Sequence, residues 1–387
     1  MKQLLRLPSS WLSLPLLFAC GLTWFTYDLS VDYLQGLLLL ALLAAVIILF
    51  DVQAGVRLPE FARFRARHYA GTREAFLALA LAWLIVLFCV LDLTLFPIPL
   101  FDKPSAYAVM DGGRAHVRHV SDMCWVLPPI GLLCARSRRL RIALIAIGFV
   151  FPVLVIDRNR LFATFFSFAL VLVLRRDEAR PLPWKTLLLL ALAGSSIFSI
   201  LGMLRSGPLD HVTLPFSAAY HAAPQAIKWL LLYASAGPYN FSAILAKGYR
   251  NPDFLINQLV PLHGSVATAG TGIPLDASNI NVGTEFFPFL LAFGPVGAAL
   301  SVFALYALLL WSVQRLRPAV PLFSLLMFLR MTYVGVMSPF APQAFTWTNA
   351  GFIGICLVLP VIASWLPNRR ALAPSPSTQR VANHGTR

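Results

Sequence analysis

A short polar segment, Asp157-Arg158-Asn159-Arg160, separates two apolar runs in mid-chain, and further basic residues follow at Arg205, Lys247 and Arg250. Guanidinium forks bind phosphate oxygens bidentately, so such arginines suit a ligand carrying phosphate or pyrophosphate. The other use of an arginine beside an apolar run is anchoring, with its stem in hydrocarbon and its charge among headgroups. Acid–base candidates lie in the same region: Asp210, His211, His221, Asp253, His263, Asp276 and Glu285. Glu285 is the most pointed, because it follows Asn281, Gly283 and Thr284 and leads straight into an apolar run. Partial desolvation there raises a carboxyl pKa towards that of a general base. The alternative role is a hydrogen-bonding residue at a helix start, where the helix dipole favours it.

None of these residues has H-E-x-x-H, paired-Asp or other metal-ligand spacing, so no metal site is expected. Cys20, Cys89, Cys124, Cys134 and Cys356 lie in or beside apolar runs without a C-x-x-C pair, which reads as packing rather than a disulfide framework. Gly264, Gly270 and Gly272 lack phosphate-loop spacing, and no nucleotide-binding motif occurs. No cofactor is expected, and neither ATP-driven transport nor sugar-nucleotide chemistry is indicated.

The elements that must position these residues follow from composition. Of 387 residues, 58% are apolar and 12% charged, with a mean hydropathy of +0.74. A soluble chain carries roughly a quarter charged residues, so this one uses the bilayer as its solvent. Ten runs reach the length of a span, near 10–28, 33–51, 74–94, 119–135, 141–157, 159–175, 185–204, 286–313, 319–336 and 345–366. The expected fold is therefore all-α, a polytopic membrane domain over 1–366 with about ten transmembrane helices. The first run continues through Trp24 and Phe25, which predicts a retained span rather than a cleaved leader.

The net charge of +15 would suggest nucleic acid in a soluble protein. Here it sorts by loop instead. One set of loops, which includes both ends of the chain, carries 21 Lys and Arg, and the other set carries 10. The positive-inside rule then predicts both termini in the cytoplasm, and no nucleic-acid partner. The polar stretch 367–387 is expected to be a disordered cytoplasmic tail. The stretch from about 205 to 285 is expected to be one large loop on the far side. Its segment Ile227–Tyr233 is too short to span and suits the headgroup region.

Three pieces of sequence carry a family resemblance. They are Asp157-Arg158-Asn159-Arg160-Leu161 opening a span, Arg205 leaving the seventh span into a long outer loop, and Asn281-Val282-Gly283-Thr284-Glu285-Phe286-Phe287 followed by Phe293-Gly294-Pro295-Val296-Gly297. With these the chain resembles the Wzy-type O-antigen or exopolysaccharide repeat-unit polymerases, in the superfamily that also holds the O-antigen ligases. The likeness covers roughly 140–315, and Ala292 stands where the family's turn often carries Asp.

The resemblance implies an enzyme of the bacterial inner membrane that joins oligosaccharide repeat units carried on undecaprenyl pyrophosphate at the periplasmic face. It implies Arg158, Arg160, Arg205 and Arg250 on pyrophosphate, Glu285 or His263 as base, and Lys247, Tyr249 and Asn281 near the glycan. Its partners would be the lipid-linked oligosaccharide, membrane lipids, a chain-length regulator and a flippase. A ligase-like transferase and a lipid-linked-saccharide transporter are the alternatives. A transporter predicts polar residues or broken helices at mid-membrane depth, often with internal repeats, and the runs here show neither clearly.

Overall fold

The described part of this computed structural model comprises residues 2–54, 68–102, 112–176, 183–206, 209, 212–260, 272–277, 280–316 and 320–367. It is all-helical, with one isolated β-bridge between Tyr27 and Phe216. The main helices are α1 (Ser13–Thr26), α2 (Val31–Ala54), α3 (Arg73–Leu95), α4 (Gly112–Ser121), α5 (Leu127–Cys134), α6 (Arg138–Leu154) and α7 (Arg158–Leu174). They continue with α8 (Trp184–Ser206), α9 (Gln225–Lys247), α10 (Pro252–Leu259), α11 (Phe287–Gln314), α12 (Leu322–Met337) and α13 (Trp347–Trp365). Among the described residues α2, α3, α8, α11 and α13 are long and apolar enough to cross a membrane. Their unpartnered faces carry large apolar side chains such as Leu38, Trp83, Leu189 and Val296, all exposed. In a bilayer such faces meet lipid.

The remaining predicted runs also become helical, but shorter. α6 and α7 have 17 residues each, α12 has 16 and α1 has 14. The run at 119–135 is not one helix. α4 ends at Ser121, a 3-10 turn covers Asp122–Val126, and α5 follows with Pro128 and Pro129 in its first turn, where a missing N–H costs no helical bond. Between α6 and α7 the chain reverses, as expected, but over Val155-Ile156-Asp157: of the polar segment only Asp157 lies in the turn, and Arg158, Asn159 and Arg160 form the first turn of α7. Ile156 takes φ 53 there, and the Asp157 N–H bonds Pro152 O at 2.8 Å. A left-handed β-branched residue is strained. The reversal sets Asp157 to cap α7, its Oδ1 accepting the Arg160 N–H.

Contacts divide the bundle into two ends. At the lower end Tyr69 reaches Val320 O, Arg175 reaches Leu132 O, and Glu74 accepts the Leu322 N–H. At the upper end lie Tyr27 against Phe216, Leu100 against Leu154, and Glu285 against the 343–345 backbone. α12 runs through the middle, with Leu325, Leu326, Phe328 and Leu329 fully buried and Trp11 edge-on to Phe328.

The stretch expected as a large loop folds back onto the bundle in its described parts. α9 continues past Tyr233 to Lys247 and packs on α1, α2 and α8, burying Trp229, Leu232 and Ser235 to Ile244. Small residues allow this close approach: Gly36 of α2 meets Ser242, and Gly237 meets Pro339 O. Thr23 donates to Ser235 O at 3.0 Å. A stack of Tyr220, Phe216, Tyr27 and Tyr239, with centroids 3.9, 5.3 and 4.3 Å apart, closes this end of the bundle.

Candidate functional site

Side chains from α4, α7, α12 and α13 converge at the upper end on a cavity of about 90 Å³. A buried water needs roughly 10–15 Å³ of such space, so several water-sized groups fit at once. The walls include His119, Asp122, Asp157, Asn159, Arg160, Arg330 and Gln343, with Trp125 and Phe352 below. A polar cavity within a bundle of apolar helices is a functional-site candidate, because ionisable groups there are costly.

α7 delivers Arg160 through its own capping. Asp157 holds the first turn and pairs with Arg160 Nε at 2.8 Å, while Arg160 Nη2 pairs with Asp122 on the 3-10 turn. The Arg160 side chain is 6% exposed and that of Asp122 43%. The arginine is thus the fixed member of the pair and the carboxylate the open one. Arg330 enters from α12, its Nε donating to Asn349 Oδ1 at 2.9 Å. Its guanidinium lies 5.8 Å from the ring centroids of both Trp125 and Tyr333. Asn159 Oδ1 accepts the Tyr333 hydroxyl at 2.5 Å and Gln343 Nε2 at 2.8 Å. Gln343 Oε1 is buried and has no hydrogen-bond partner among the described residues. His119 forms a wall with its ring edge-on to Trp347, centroids 4.3 Å apart.

Glu285 supports this wall from behind. Its carboxylate is 1% exposed and accepts the backbone N–H groups of Gln343, Ala344 and Phe345 at 2.5, 2.8 and 3.1 Å. Burial pushes its carboxyl up to about 7, against the pull of those three donors and of Arg330. The direction is that expected from the sequence, but Glu285 is not among the residues lining the cavity. It fixes the loop that carries Gln343.

The other predicted residues are dispersed. Arg158, two positions before Arg160, points the opposite way, as i,i+2 residues on a helix do. It donates to the Tyr233 hydroxyl at 2.8 Å and lies 4.3 Å from that ring's centroid and 5.0 Å from Phe198's. Arg250 mends a break in α11. Gly294 is non-helical at φ 72, and Pro295 has no N–H for Leu291 O. The Asn251 N–H bonds Leu291 O at 2.9 Å, and Arg250 Nη1 reaches Leu290 O at 3.4 Å. Tyr249 packs against the core beside it.

Lys247 pairs with Asp276 at 2.6 Å and donates to Pro274 O. Burial raises the Asp276 pKa, but bonds from Lys247, Tyr239 and Tyr33 outweigh it and hold the carboxyl below its usual range. Asn281 is exposed, between two carbonyls that Asn240 binds. Arg205 lies in the last turn of α8, but its side chain is outside the described part, as are His263, Asp210 and His211. Among the described residues no group of three or more His, Cys, Asp or Glu is placed to hold a metal ion.

Sequence reasoning missed Arg330, Asp122, His119 and Gln343. Arg330 had a signal, being the one charged residue between Leu322 and Met337. The others had none, since they meet only through the reversal at 155–157 and the loop that Glu285 holds. The chain matches no known family model, no curated protein and no solved structure.

Proposed function

We propose that the chain is a polymerase of undecaprenyl-pyrophosphate-linked oligosaccharide repeat units in the bacterial inner membrane, with about ten spans and the upper end periplasmic. The carrying observation is the cavity in which Arg160, buried, and Arg330, half-buried, face a space shared with carboxylates and amides. Fixed guanidiniums in such a water-poor setting suit a departing lipid pyrophosphate, whose charge grows as the glycosidic bond breaks. Arg205, at the upper end of α8, is a further candidate for the lipid phosphate. Arg158 and Arg250 hold helices together instead.

The orientation is supported by charge. Arg136, Arg138, Arg139 and Arg141 at the start of α6, and Arg175 and Arg176 after α7, lie at the lower end. That excess makes the lower end cytoplasmic. The upper end balances its arginines with Asp92, Asp122 and Asp157, and Lys247 with Asp276.

A deletion strain tests the reading through its surface glycans and its lipid-linked intermediates. Single repeat units on the surface lipid, with no ladder, are expected. Full-length polymer stranded on the lipid carrier would make the protein a ligase, and an unchanged profile would overturn both.

A further inference from the structure

We propose that Asp122 is the base of the transfer step, and that the substrate's own pyrophosphate releases it by displacing it from Arg160. This rests on the polymerase reading of the cavity. Among the described residues three carboxylates lie within reach of the cavity or its wall, and two are committed. Asp157 caps α7 and holds Arg160 Nε, so moving it would unwind the helix start. Glu285 is enclosed by three backbone donors. Asp122 is different. It sits on a 3-10 turn rather than within a helix, its side chain is 43% exposed, and it is paired with the terminal Nη2 of Arg160.

A carboxylate paired with a guanidinium is a poor proton acceptor. An incoming pyrophosphate, with more charge and the same bidentate geometry, competes for that guanidinium. Asp122 is then freed only when the leaving group is in place. Gln343 Oε1, a buried acceptor in the same cavity, calls for a donor such as a sugar hydroxyl rather than another anion. The cavity therefore has an anion side at Arg160 and Arg330 and a hydroxyl side at Gln343 and Asp122. In the step itself, the acceptor oxygen bonds the donor's anomeric carbon while the bond from that carbon to the pyrophosphate oxygen breaks. The electron pair leaves on the lipid pyrophosphate, and the hydroxyl proton passes to Asp122 and from there to water.

The test uses the full chain in phosphatidylcholine nanodiscs, with and without phosphatidylglycerol. It compares wild type, Asp122→Asn and Asp122→Glu, and Asp122→Ser replaces Asp122→Asn if that variant does not fold. Two quantities are read: affinity for inorganic pyrophosphate, and elongation of a lipid-pyrophosphate oligosaccharide. Loss of a competitor of exposed-pair strength makes Asp122→Asn bind pyrophosphate about fivefold tighter. Loss of the base slows its elongation at least about 100-fold. Asp122→Glu recovers part of the rate.

Elongation by Asp122→Asn within tenfold of wild type would overturn the proposal, as would pyrophosphate binding no tighter than wild type. Loss of pyrophosphate affinity on adding phosphatidylglycerol would assign the anion side to headgroups and overturn it too. A wild type that binds pyrophosphate but never elongates refutes the polymerase reading instead, and the affinity comparison still decides whether Asp122 guards Arg160.

Discussion

Replacing Glu285 by Ala should destabilise the protein by unpinning the loop that carries Gln343. The carboxylate is the acceptor for three backbone N–H groups, at 343, 344 and 345, in a place that is 1% exposed. Each buried donor left without an acceptor costs about 1–3 kcal/mol. Water entering the vacated space satisfies part of that, so a net loss of about 3–6 kcal/mol is expected. At roughly 2 °C per kcal/mol for a chain of this size, the melting midpoint falls by about 6–12 °C. Glu285→Gln keeps one acceptor oxygen but turns an NH2 group towards donors, and should lose about 2–3 kcal/mol. The assay is thermal unfolding of the purified protein in detergent, paired with limited proteolysis of the segment between α12 and α13. Cleavage there should appear in Glu285→Ala at temperatures where wild type resists. A Glu285→Ala protein that melts within 2 °C of wild type and is cut no faster would refute the reasoning. A Glu285→Gln protein of full stability and no activity would restore Glu285 to the role of base.

Three further outcomes are expected. Gly237→Ala puts a Cβ 2.0 Å from Pro339 O and should cost about 2–3 kcal/mol, whereas Gly351→Ala, inside α13 with nothing within 4 Å, should gain up to about 1 kcal/mol; melting curves of the two decide. Arg250→Ala removes a charged donor from Leu290 O and should lose about 1.5–3 kcal/mol while leaving pyrophosphate affinity unchanged; a tenfold weaker affinity would return Arg250 to the anion site. Asp276 has a lowered pKa in the folded protein, so its contribution is present above the usual carboxylate range and lost as pH falls through the lower folded value. Stability should therefore drop at acid pH, and the Asp276→Asn variant should show a shallower drop in acid-melting curves.

Much of the scaffold was legible because hydrocarbon imposes it: apolar runs of sufficient length had to become helices. The reversal at 155–157 was legible too, since four polar residues cannot continue one long span. α9 was hidden for a physical reason. Its middle is Ala234-Ser235-Ala236-Gly237-Pro238, small and weakly apolar, and its helicity comes from packing against α1 and α2. Arg158 and Arg160 read as a pair in the sequence, yet residues two apart diverge on a helix, and only Arg160 reaches the cavity. Lys247 and Arg250 look like free cations until Asp276 and the broken turn of α11 are beside them. Charge signs and spacing are visible in a sequence; partners far along the chain are not.

Reconstitution of the purified chain with a defined lipid-pyrophosphate oligosaccharide tests the proposed function most directly. Mass spectrometry of the products should show a ladder of whole repeat units, with one lipid pyrophosphate released for each unit joined. Arg160→Gln and Arg330→Gln should abolish the ladder. Substrate recovered at its original length from an active-folded preparation, or a ladder undiminished in both arginine variants, would contradict it.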